Sequence, residues 1–209
     1  MYDRKNNMAK IAFIISGVVL VLFLGFLGIR IMGDSLPPKQ DQMGKTVTAT
    51  PVGGPFTLMS ETGKVFTQDD IQTPYKLVFF GFTSCPAICP TELLKITDVM
   101  NGLDPAVSGR ITPLFISVDP DRDTPAQLLT YTDQFDPRII GLTGSHDQID
   151  HVLKQFRVYA AKVVTDPTKP DGYTMDHSAY IYLVGPDHMM VKVFDSKKTA
   201  AEIIADLAL

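Results

Sequence analysis

Cys85 and Cys89 are the only cysteines in 209 residues, and their spacing limits what they can do. With Pro86-Ala87-Ile88 between them, the two sulfurs can close a short disulfide or face one soft metal ion. In both cases the thiolate is the reactive form. Pro90 bears on that directly. Inside a helix it would lack its N–H and clash with the carbonyl of residue 86. The sequence therefore predicts a helix with Pro90 at its first position, Cys89 as N-cap and Glu92 at the third position. Both sulfurs then lie at or just before a helix N-terminus, where the dipole favours thiolate over thiol. A lone buried cysteine is usually inert core. Two of them flanked by prolines read instead as a reactive or metal-binding pair.

The elements that must position this pair can be read on either side of it. Lys76–Phe82 carries five apolar side chains without alternation, as a strand buried on both faces would. Before it, Phe56–Leu58 and Val65–Phe66 form a short predicted hairpin across Ser60-Glu61-Thr62-Gly63. After it come a helix over Pro90–Met100, a strand over Ile111–Val118, and the acidic run Asp119-Pro120-Asp121-Arg122-Asp123. Thr124-Pro125-Ala126-Gln127 supplies a cap, a proline at the first position and a glutamine at the third for a helix reaching about Phe135. The remainder reads as a strand at Ile139–Leu142, a helix at Ser145–Arg157, a strand at Val158–Val164 and a polar loop at Asp166–Gly172. A hairpin of Ser178–Val184 with Met189–Phe194 and a closing helix from Thr199 complete the chain. This is thioredoxin-like order: an α/β fold with a mixed central sheet and helices on both faces. It puts the cysteines at the C-terminal edge of a central strand, where open α/β sheets present their sites.

Charge and hydropathy divide the chain further. Residues 1–30 carry Arg4, Lys5, Lys10 and Arg30 against Asp3, a net +3, so the remaining residues hold −7 of the overall −4. An acidic body without a basic stripe argues against nucleic acid. Between Lys10 and Arg30 lie nineteen uncharged residues, enough for a helix at ~1.5 Å per residue to span a hydrocarbon core. No small-x-small cleavage site follows, so residues 11–29 are expected to be an uncleaved transmembrane anchor. The basic residues before it keep residues 1–10 cytoplasmic and export the rest. The short N-terminus, too brief for a transit peptide, favours a bacterial inner membrane, with the body in the periplasm. Residues 30–50, dotted with Pro, Gly and Thr, read as a tether, and residues 51–209 as the folded domain.

Three segments together resemble one family. CPAICP after an apolar strand, DPDRDTP after the next, and DHSAYIYLVGPD near the end are similar to the Sco/SenC proteins. These are membrane-anchored and thioredoxin-folded, and supply copper to cytochrome c oxidase. The resemblance covers residues 50–209. It implies Cys85 and Cys89 as thiolate ligands, His177 as the imidazole ligand, and Asp119 and Asp123 as an acidic pair near the site or facing a partner. It also implies copper as cargo, Cu(I) and also Cu(II), since thiolates favour Cu(I) while an imidazole tolerates Cu(II). The implied recipient is the subunit of cytochrome c oxidase that carries the dinuclear CuA centre. Another periplasmic copper chaperone or a thioredoxin-like reductant would be a further partner. From the residues alone, Asp119 reads as a strand end and Asp123 as support for the helix at Thr124.

Other chemistries use some of the same residues. A thiol–disulfide oxidoreductase acting on the cysteines of a copper-receiving partner would use Cys85 and Cys89 as a redox-active disulfide. It leaves His177 without a task, and the proline that thioredoxins place opposite their cysteines is missing from Met175-Asp176-His177-Ser178. A sensor signalling through a partner would share the whole set. A peroxidase fits less well, since Phe82 stands where peroxiredoxins carry threonine. Zinc held by the cysteines with His146 and His151 is disfavoured. Fifty-six residues separate those pairs, and the histidines diverge by ~140° around a helix. A metal carrier rather than an enzyme is the expectation.

Overall fold

The computed structural model describes residues 51–207. The expected anchor and tether, residues 11–50, lie outside them. Among the described residues no helix is long and apolar enough to cross a membrane.

Among the described residues, nine strands and five α-helices follow in chain order, with one 3-10 turn (Gln68–Asp70) after the second strand: β1 (Thr57–Ser60), β2 (Val65–Thr67), β3 (Tyr75–Gly81), α1 (Ile88–Gly102), α2 (Pro105–Ser108), β4 (Ile111–Ser117), α3 (Pro125–Thr132), β5 (Ile140–Thr143), α4 (His146–Phe156), β6 (Ala160–Val164), β7 (Tyr173–His177), β8 (Ile181–Val184), β9 (Met190–Phe194) and α5 (Ala200–Asp206). Seven strands form one sheet in the order β2-β1-β5-β4-β3-β8-β9. β3, β4 and β5 run parallel and the outer pairings are antiparallel, so the sheet is mixed. β6 and β7 pair only with each other, as a separate two-stranded ribbon.

The unbroken apolar run of β3 is explained by what covers it. Neighbouring side chains on a strand point to opposite faces. Phe79 stacks on its register partner Phe115, with centroids 6.2 Å apart, and Phe115 packs on Tyr131 of α3 at 5.5 Å. Phe80, one residue on, packs on Phe156 of α4 at 5.3 Å. Helices therefore cover both faces, and Leu77 through Phe80 are almost entirely buried. Capping boxes open three of the helices, at Thr124/Gln127, Ser145/Gln148 and Thr199/Glu202. In each, the cap side chain accepts from a helix N–H that has no partner within the helix.

Two local expectations differ from what is found. Helix α1 starts at Ile88 rather than Pro90, with Ala87 as N-cap, so Cys89 is inside the first turn and not the cap. Proline is harmless anywhere in a first turn, because the N–H groups there lack helical acceptors. The first bond to a carbonyl inside this turn runs from Thr91 N to Ala87 O, at 3.3 Å. The second difference is β7, which carries His177 as its last residue. A strand beginning at Ser178 is expected from the sequence, whereas the sheet strand β8 begins at Ile181. β7 lies outside the main sheet and buries only Tyr173 well, so its sequence lacks the apolar pattern of a core strand.

Candidate metal centre

Two loops that follow parallel strands of the sheet meet the β6–β7 ribbon here. Cys85 and Cys89 follow β3, Asp119–Asp123 follow β4, and the ribbon delivers His177 from the side. Cys85 Sγ, Cys89 Sγ and a ring nitrogen of His177 all lie within 4.8 Å of one another, and no other three or more His, Cys, Asp or Glu side chains are so grouped among the described residues. His177 Nε2 is 3.5 Å from Cys89 Sγ. The residues 88 positions apart in sequence are thus neighbours. His146 instead sits 2.9 Å from Asp121, and His151 lines a separate cleft with Pro55 and Gln68.

Each donor is oriented by its own surroundings. His177 Nδ1 lies 3.1 Å from the Ser178 carbonyl. A carbonyl only accepts, so Nδ1 carries the proton and Nε2 presents its lone pair to the sulfurs, the arrangement that metal-binding histidines use. The edges of Phe79 and Phe82 box the ring, at 6.2 and 5.7 Å. Cys89, in the first turn of α1, is fully buried, while Cys85 is half-buried. The Cys89 N–H, a spare donor of the first helical turn, points to Cys85 Sγ at 3.4 Å.

The two thiols are consequently unequal. Hydrogen bonding from the Cys89 thiol, with further help from backbone N–H groups and against the opposing effect of burial, holds the Cys85 thiol well below the usual range. Its neighbour Cys89 is pushed up, by that same bond and by burial. One proton is shared and the less buried sulfur, Cys85, is the thiolate. An ordinary thiol loses about tenfold in thiolate for each pH unit below ~8.5. In the reduced, metal-free chain, iodoacetamide should therefore modify Cys85 in preference to Cys89, at a rate nearly flat from pH 8 to pH 5. Peptide mapping of the alkylated protein reads both; a rate falling tenfold per unit would refute the thiolate assignment.

Gly81 makes room for the buried sulfur. A Cβ there would stand 2.8 Å from Cys89 Sγ and 2.8 Å from a Phe115 ring carbon. Glycine between two phenylalanines in a strand is a signal of such close approach, although the sequence did not single it out. Overpacking of this kind costs about 1–3 kcal/mol. Gly81→Ala should lower the melting temperature of the metal-free chain and displace Cys89, weakening metal uptake. Unchanged melting and uptake would mean that the sulfur can move aside freely.

Asp119 and Asp123 are both buried, and neither carboxylate touches the three donors through any hydrogen bond found. Asp123 does not cap α3, whose cap is Thr124. Its oxygens accept from Thr83 N at 3.0 Å, Thr83 Oγ1 at 2.6 Å and Ser117 Oγ at 2.6 Å. It thereby fixes the loop leading to Cys85. Burial pushes its carboxyl up, against the pull of those hydrogen bonds. Asp119 accepts from Tyr173 OH at 2.8 Å and from Arg122 Nε at 2.5 Å. Arg122 and Tyr173 were not anticipated. Nothing in a single sequence pairs an arginine with a tyrosine 51 residues on.

One side of the centre is open. A cleft of about 270 Å³ is bordered by Phe82, Cys85, Pro86, Ala87, Ile88, Met175 and His177. Two sulfurs and one imidazole form a soft donor set suited to Cu(I), with the nitrogen also acceptable to Cu(II). The open side leaves room for a donor from another molecule.

The fold and site together define a thioredoxin-like domain with an accessible Cys–Cys–His donor set at the end of its sheet. Comparison gives the class a name: the chain belongs to the SCO1/SenC family, whose model matches residues 44–209. It is 36% identical over 208 residues to the SCO2-like protein of Rickettsia prowazekii, covering 96% of each chain. With the human mitochondrial SCO1 homologue it is 37% identical over 171 residues, 81% of this chain but only 55% of that one. The chain thus spans between about half and two thirds of the eukaryotic relatives' length. Among solved structures, Bradyrhizobium japonicum ScoI with copper bound is 44% identical, with a TM-score of 0.66 over 75% of this chain and 97% of that one. BsSco, described as having a disulfide switch and as one of the Sco family of cytochrome c oxidase assembly proteins, is 29% identical. Its TM-score is 0.56 over 75% of this chain and 93% of that one.

Proposed function

We propose that this chain is a copper carrier that holds the ion on Cys85, Cys89 and His177 and delivers it to the dinuclear CuA centre of cytochrome c oxidase during assembly. The observation that carries the reading is the convergence of those three donors beside an open cleft. The copper-bound relative at 44% identity supports the choice of metal, and the membership of BsSco among cytochrome c oxidase assembly proteins supports the recipient. Ligand exchange is the mechanism. A donor from the recipient enters on the open side, the ion passes through a shared coordination sphere, and it is never released to water. Cys85, half-buried and anionic, is the sulfur that meets an incoming ion. Cys89, buried and initially protonated, gives up its proton as the metal binds.

In this reading residues 11–29 anchor the domain in a bacterial inner membrane, residues 30–50 tether it, and residues 51–209 work in the periplasm. A second reading is favoured by the unequal thiols: a low-pKa, partly exposed cysteine beside a buried protonated one suits attack on a partner's disulfide. X-ray absorption of the copper-loaded chain separates the two. Two sulfurs and one nitrogen or more at stoichiometric loading, with negligible turnover in a disulfide-reduction assay, is the expected outcome. Weak, substoichiometric copper with rapid disulfide turnover would transfer the protein to the oxidoreductases.

A further inference from the structure

One loop, Asp119–Asp123, holds both halves of the donor set. On the cysteine side, Asp123 fastens Thr83, two residues before Cys85. On the histidine side, three residues of the same loop grip the β6–β7 ribbon. Asp119 takes the Tyr173 hydroxyl. Arg122 donates to the Tyr173 carbonyl at 3.0 Å and lays its guanidinium 3.8 Å from the ring centroid of the same residue. Asp121 pairs with Lys162 of β6 at 3.0 Å, and the Lys162 ammonium lies 3.8 Å from the Tyr173 ring centroid. Tyr173 is thus held between two cations and tied at both its hydroxyl and its backbone. It begins the strand that His177 ends, and strand pairing with β6 transmits its position along the ribbon to Ala160↔His177.

These contacts differ in what they can contribute. Lys162 and Asp121 are both nearly half exposed, so their ion pair is screened and weak. Asp119 and Tyr173 are buried and Arg122 is largely so. Charge-assisted bonds in such surroundings are the strong kind. The tie therefore resides chiefly in Asp119, Arg122 and Tyr173. β7 otherwise sits outside the seven-stranded sheet and lacks that sheet's two-sided burial.

We propose that Arg122, Asp119 and Tyr173 form a latch that sets the reach of His177 toward the two sulfurs, and thereby decides how well the site holds Cu(II) relative to Cu(I). The proposal rests on the copper reading above. Its logic is that two thiolates alone suffice for Cu(I), whereas Cu(II) depends on the imidazole. Arg122, Asp119 and Tyr173 are positioning residues in this scheme, since they act through His177.

The test uses the reduced chain and its Tyr173→Phe and Arg122→Gln variants. Tyr173→Phe keeps the ring and removes only the bond to Asp119, so it serves should Arg122→Gln fail to fold. Under anaerobic conditions, Cu(I) affinity is read by chelator competition, and Cu(II) by rapid-freeze electron paramagnetic resonance. A lost bond to a charged group corresponds to roughly a tenfold effect or more. Cu(II) affinity should fall about tenfold in Tyr173→Phe and further in Arg122→Gln, with Cu(I) affinity changing less than about threefold. Equal losses for both ions, or none for either, would overturn the latch. Hydrogen exchange on the metal-free proteins gives a second measure. Amides of residues 173–177 should exchange about tenfold faster in the variants while those of β3 do not, and unchanged protection of β7 would also overturn the proposal. A wild-type chain that takes up no copper would sink the copper reading instead, and exchange would still decide whether the latch exists.

Discussion

Cys89→Ser should abolish useful copper binding, lowering Cu(I) affinity on the order of a thousandfold. Binding free energies for thiolate-rich zinc sites are about 10–16 kcal/mol, and one of three donors carries roughly a third of such a sum, which is about a thousandfold in affinity. Serine cannot replace the sulfur, because its hydroxyl is harder and stays protonated. Burial sharpens the effect: Cys89 is inaccessible to solvent, so no water can take the vacated position without opening the core around Phe115 and Gly81. Cys85→Ser should lose a similar amount, since it removes the sulfur that is already ionised. His177→Ala should cost Cu(I) less, about tenfold, because two thiolates remain. Competition titration of the reduced chains gives all three values in one series. Full affinity in either cysteine variant would end the present assignment of the site.

Asp123→Ala is expected to have the largest effect on stability among residues that touch no metal ligand by hydrogen bond. It strands three donors, Thr83 N, Thr83 Oγ1 and Ser117 Oγ, around a side chain with no exposed surface. Unmet buried donors cost about 1–3 kcal/mol each where they cannot turn to water. Part of that is relieved by hydroxyl rotation, leaving a loss of about 3–5 kcal/mol. The melting temperature should drop by about 10 °C for a domain of this size. Because burial works against the charged carboxylate, the neutral and isosteric Asp123→Asn should recover part of the loss. Thermal unfolding of the metal-free variants measures both. An Asp123→Ala chain melting like the parent would show that Thr83 is held by other means.

Much of the architecture is legible in the sequence. The apolar run at Lys76–Phe82 could only be a strand covered on both faces, and Phe79 and Phe80 do pack against opposite layers. The helix starts read at Thr124, Ser145 and Thr199 hold, Thr124 as the cap its sequence indicates and the other two as caps as well, because a cap is a contact between residues two or three apart. The helix start at Cys89 was misjudged by two positions, since proline restricts only the helix interior and leaves the whole first turn open. β7 was missed because its pairing partner, not its own hydrophobic pattern, makes it a strand.

By itself, then, the sequence determined the things that neighbours along the chain decide: a thiol pair at a helix entrance, the order of strands and helices, and through its motifs the family. The tertiary structure alone decided which distant groups share a space. It brought His177 to within 3.5 Å of Cys89, turned Asp123 away from the helix it precedes and toward Thr83, and put Arg122 on Tyr173. The physical reason is that local propensities act over a few residues. The approach of an imidazole to a thiol 88 positions earlier depends on the closure of an entire sheet and on the loop that ties a ribbon to it.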